Sequence, residues 1–152
     1  RAMSRLLSQQ RAAFALQKIQ GFSDPTRNRN NERKQEKMST HLHKTPIRIL
    51  SNGLGQALAF LLSDNGSEIG VKRKESGQLY DWLCEWLCGN ADENQPCRVY
   101  PAGDLIAQLM AGDRRDYLRA QEETLLLFDW LTKFADAYLE ESQNAAATPA
   151  SE

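Results

Sequence analysis

Cys84 and Cys88 stand one helical turn apart, and with Cys97, His41 and His43 they are the donors that zinc prefers. Their spacing matches no familiar C-x-x-C arrangement. The surrounding segment SGQLYDWLCEWLC is apolar, so the thiols read as packing groups. A second constellation runs from Pro46 to Leu58, PIRILSNGLGQAL, and mimics a strand, a glycine turn and a phosphate-binding helix. The dinucleotide fingerprint requires a small residue where Leu58 stands, and no second parallel strand follows. Gly53 and Gly55 are therefore assigned to a tight turn and a close helix contact. Glu122 and Glu123 are adjacent on a helical stretch and point to different faces, so they do not form a paired acid site. The sequence contains no nucleophile elbow, no H-E-x-x-H and no P-loop pattern. It thus points away from an enzyme, a metal centre or a bound cofactor.

The basic residues are the remaining chemical signal: the first 80 residues carry 14 Lys and Arg against 6 Asp and Glu, whereas residues 81–152 carry 5 against 14. The net charge of −1 hides this asymmetry. A basic and an acidic half give one molecule surfaces for two kinds of partner, although each set is also what ordinary solvated faces look like. Lys34, Lys37, His41 and Lys44 follow three- and four-residue spacing and line one helix face. Arg11 and Lys18 are seven apart and share a side of the first helix. Such cations bind phosphate by charge and hydrogen bonding. No aromatic is interleaved with them in the sequence, so the contact expected is to the backbone and indifferent to base sequence.

The elements that position these residues are helical. Periodicity predicts helices over residues 3–21, 32–43, 76–88, 101–112 and 113–140, with Asp113 capping the last. The densest apolar run, Leu54 to Leu62 within residues 45–65, covers nearly every helical face and is assigned to a central helix. Pro46 is expected to break or kink the path near Thr45, and Ile47 to Leu50 is the one strand candidate. Loops are expected at 22–31, at 64–76 with Lys72, Arg73 and Lys74, and at 90–100. The segment SQNAAATPASE from Ser142 onward is low in complexity and reads as a disordered tail. The resulting expectation is an all-α bundle of five to six helices, one domain over residues 1–141 with a tail over 142–152. No stretch is long and apolar enough to be a transmembrane helix. The odd cysteine count argues against a disulfide framework and for a reducing cytoplasm.

Several segments, in order, resemble the small subunit of the Cmr complex, the type III-B CRISPR effector. They are RAAFALQK at 11–18, NGLGQALAFLLS at 52–63, Leu79-Tyr80-x-x-Leu83 with Trp86-Leu87, Asp116-Tyr117-Leu118, Glu123-Thr124-Leu125, and Leu131-x-x-Phe134-Ala135-x-Ala137. The loops at 22–31 and 90–99 depart from the family pattern by being longer. The resemblance implies an all-α, non-catalytic subunit. Several copies would stack head to tail beside larger subunits that hold the guide RNA, and together they would shape the groove where target RNA pairs with it. The phosphate contacts expected are Arg11, Lys18, Lys34, Lys37, Lys44 and Arg48. The alternatives are a helical adaptor with no nucleic-acid role and a nucleotide-dependent enzyme acting through Gly53 and Gly55.

Overall fold

A computed structural model describes residues 6–24, 31–90, 95 and 97–139. Six α-helices follow one another among these residues: α1 (Leu7–Ser23), α2 (Asn31–Asn52), α3 (Leu54–Asn65), α4 (Glu75–Leu87), α5 (Leu105–Ala111) and α6 (Arg114–Tyr138). No strand forms among the described residues; one isolated bridge joins Cys88 to Tyr100. All-α is therefore the fold class. The expected tail over 142–152 lies outside the described residues.

The helices exist because each carries an apolar stripe that the others cover. Phe14, Ala15, Ile19 and Phe22 form it on α1, and Met38, Leu42 and Ile49 on α2. Leu54, Ala57, Leu58 and Leu61 form it on α3. All six helices feed one continuous hydrophobic cluster. Each fully buried leucine in it contributes roughly 2–3 kcal/mol. α3 packs against α2, α4, α5 and α6, which makes it central. It is not wrapped on every side, however: Gln56, Ala59, Phe60 and Ser63 remain exposed.

The path near Pro46 differs from expectation. α2 continues through Pro46 to Asn52, and Ile47 to Leu50 is helix, not strand. Proline in a helix interior removes one i→i−4 hydrogen bond and costs on the order of 3 kcal/mol. Here Leu42 and Thr45 before it and Ile49 after it are all buried, and that packing outweighs the local preference. The chain then reverses on the single residue Gly53, whose φ of 88° lies in the left-handed region that favours glycine.

Side chains from distant segments hold the helix ends. The Gln121 Oε1 accepts from the Leu54 N–H at 3.0 Å, and the Tyr117 hydroxyl accepts from the Gly55 N–H at 2.9 Å. The Tyr80 hydroxyl donates to Asp104 at 2.5 Å and accepts from the Ile106 N–H at 2.9 Å, so α4 fixes the start of α5. Pro101 lies ahead of this helix and is not its first turn. Asp113 caps α6 as its sequence position predicts, accepting from the Asp116 N–H at 2.8 Å. The connection between α3 and α4 is tied down by buried Asn65. Its amide donates to the carbonyls of Gly66 and Glu68, and its oxygen accepts from the Lys74 N–H.

Candidate nucleic-acid interface

The unbroken α2 sets the geometry of the basic residues. Its buried face is Gln35, Met38, Leu42, Thr45 and Ile49. Lys34, Lys37, His41, Lys44 and Arg48 fall within about 80° of arc beside that face, at 100° per residue. At 1.5 Å per residue the row is about 21 Å long. A break at Thr45 would have separated Arg48 from it.

Within the row the side chains differ in role. Lys37 and Lys44 are exposed and Lys34 is half-buried. None of the three forms an ion pair among the described residues. His41 is half-buried, with its Nε2 3.4 Å from Asp64 on α3. Burial pushes the His41 pKa below its ordinary value, and Arg48 and Lys44 push the same way, while Asp64 and Glu75 oppose them. The Arg48 guanidinium lies over the Phe60 ring, 3.5 Å from its centroid. On the opposite flank of α2, His43 meets Asp136 of α6 at 2.8 Å.

Arg11 and Lys18 each meet a carboxylate of another helix. Arg11 makes a two-pronged contact to Glu123 of α6, Nε to Oε2 at 2.7 Å and an Nη to Oε1 at 2.9 Å. Trp86 donates to the same carboxylate at 3.1 Å, and its ring packs at 4.8 Å, tilted by 45°, on Phe14, one turn of α1 from Arg11. The Arg11 side chain is only 13% exposed, and the Glu123 hydrogen bonds hold its pKa up. An open cavity of about 290 Å³ borders the pair, lined further by Leu7, Cys97, Val99, Arg119, Glu122 and Leu126. Lys18 pairs with Glu85 of α4 at 2.5 Å and sits over the Phe14 ring. These two cations are spent on intramolecular carboxylates.

The other sequence candidates do not assemble into a reactive site. The backbone donors at the start of α3 that would cradle a phosphate are taken by Gln121 and Tyr117. A Cβ on Gly55 would sit 3.2 Å from the Tyr117 hydroxyl, which is the close contact the glycine permits. His41 and His43 point to Asp64 and Asp136 on different helices, away from the cysteines. Among the described residues no three His, Cys, Asp or Glu side chains are close enough to hold a metal ion. Burial raises the thiol pKa of Cys84 and pushes those of Cys88 and Cys97 up to about 11, so the thiols stay protonated at neutral pH. Glu122 is exposed while Glu123 is buried, as adjacent helical positions require. Among the described residues, no helix is long and apolar enough to cross a membrane.

Sequence reasoning missed Phe60 as a neighbour of the basic row. Phe60 and Arg48 are on different helices, and only the hairpin at Gly53 brings them together. It also missed Glu123 as the partner of Arg11, because 112 residues separate them. In both cases the sequence signal was present but not specific: a phenylalanine in an apolar run, and one carboxylate of two.

Comparison with known proteins agrees with this architecture. Residues 7–138 match the family described as CRISPR-associated protein (Cas_Cmr5). A crystal structure of a CRISPR-associated Cmr5 family protein from Thermus thermophilus superposes with a TM-score of 0.64 at 24% identity. That match covers 90% of this chain and 100% of the other. At this identity it speaks for the fold.

Proposed function

The chain belongs to the Cas_Cmr5 family of CRISPR-associated proteins, subunits of the type III-B effector, and from that premise we propose that it is a non-catalytic subunit contacting the RNA backbone. Several copies stack head to tail beside the guide-holding subunits, a contact that propagates instead of closing. The phosphate contacts are Lys34, Lys37 and Lys44, with Arg48 at the end of their row. The guide or target strand lies along α2, and cleavage belongs to other subunits.

The observation that carries this reading is the continuity of α2 through Pro46. It keeps Arg48 in line with three lysines that share one face and have no ion-pair partners among the described residues, so a row of four cations is open to phosphates. Each phosphate neutralised by a lysine releases counterions, which makes affinity fall with salt. In the assembled complex, K34A/K37A/K44A should flatten the slope of log affinity against log salt by about two units. An unchanged slope would remove RNA from α2 and favour the adaptor role.

A further inference from the structure

The proposal rests on the phosphate row of α2 and adds a second kind of contact to it. We propose that Phe60, backed by Arg48, is a nucleobase-stacking position at the end of that row, so the bound strand is held by a base as well as by phosphates. The sequence pointed to backbone contact alone because no aromatic is interleaved with the lysines. The folded chain supplies one from the neighbouring helix.

Four observations carry this. Phe60 keeps 39% of its surface exposed on a strip otherwise formed by Gln56, Ala59 and Ser63. A phenylalanine there contributes less to the core than its buried neighbours Leu58 and Leu61. Its ring is covered on one side by the Arg48 guanidinium at 3.5 Å, which fixes the ring without hiding it. That guanidinium makes no ion pair among the described residues. It therefore remains a cation available to a phosphate. Finally, Arg48 is one turn beyond Lys44 on the same face, about 6 Å along α2. A strand following Lys34, Lys37 and Lys44 arrives at Phe60 with its next base beside the ring.

An aromatic face next to a line of cations is how single strands are held without reading their sequence. Every base has a π-face, so the position tolerates all four. Gln56 and Ser63, one turn to either side of Phe60 on α3, offer polar groups to the edge of a stacked base.

The test compares a dodecauridylate with an abasic ribose-phosphate strand of equal length, measured by fluorescence anisotropy on the full chain at low salt. Wild type should bind the uridylate about tenfold more tightly than the abasic strand. F60L, which keeps apolar bulk but loses the ring, should lose that tenfold on the uridylate and nothing on the abasic strand. F60W should retain wild-type binding of both. K34A/K37A/K44A should weaken both strands alike. If F60L matches wild type on both strands, or weakens both equally, while the lysine variant still weakens both, the stacking position is overturned and the row stands. If neither strand binds wild type, or the lysine variant leaves both unchanged, the row falls and the stacking position falls with it.

Discussion

At the scale of single residues, Glu123 joins three helices through one carboxylate. It receives both prongs of Arg11 from α1 and the indole N–H of Trp86 from α4. Removing one partner of such a pair leaves the other charge buried and uncompensated. Glu123→Ala should therefore cost about 3 kcal/mol, read as a fall in melting temperature of several degrees. Arg11→Ala with Glu123→Ala should cost less than the two single losses combined, in a double-mutant cycle on the same melts. His41 gives a second measurement. Its folded pKa lies below the unfolded value near 6.5, so the unfolded chain binds the proton more readily. Its share of stability is complete above pH 6.5 and is lost as pH falls through the folded pKa. The urea midpoint should decline between pH 7 and pH 5, and His41→Gln should flatten that decline.

At the scale of elements, two substitutions that ordinary helix preferences treat alike should have opposite signs. Pro46→Ala restores an N–H to bond the Leu42 carbonyl in a helix that already continues through this position. It should raise stability by about 1–3 kcal/mol in thermal melts. Gly77→Ala in α4 should gain about 1 kcal/mol on propensity alone. Its Cβ, however, would fall onto the Asn65 side chain and lie 2.9 Å from the Arg73 Cγ. Asn65 cannot move aside, because its amide holds the whole connection to α4. The variant should be less stable than wild type, and a melting temperature above wild type would contradict the rigidity ascribed to Asn65. The elements were also where the sequence was most legible. Asp113 marks the start of α6 because a cap is a local signal, read within three residues. Pro46 misled because its local cost is real, and what overrides it is the burial of Leu42, Thr45 and Ile49 by other helices. The pairing of Arg11 was illegible for a related reason: the sequence shows a cation on a helix face, but the carboxylate it meets comes from α6.

At the scale of the whole molecule, charge is distributed by helix. α2 carries five Lys and Arg against two Glu, while α4 carries three acidic residues and no basic one. An RNA partner along α2 should therefore shield particular amines. Acylation of Lys37 and Lys44 should slow when RNA is added to the assembled complex, while Lys133 on α6, over the Trp130 ring, should react at the same rate. Equal protection of all three would locate the strand elsewhere. This distribution was legible only as a difference between chain halves. Which cations face outward depends on which carboxylates the fold brings to them: Glu123 to Arg11, Glu85 to Lys18, Asp81 to Arg73.

The one-residue turn at Gly53 has a further meaning for how this chain tolerates change in length. Inserting a single amino acid there would lengthen the turn and let α3 shift against α2 by up to about 3.5 Å. Phe60 would swing away from Arg48, and Leu54 and Gly55 would lose Gln121 and Tyr117 together. The hairpin is thus a gauge block: residue types along it can drift, but the count between Arg48 and Phe60 is fixed at eleven intervening positions.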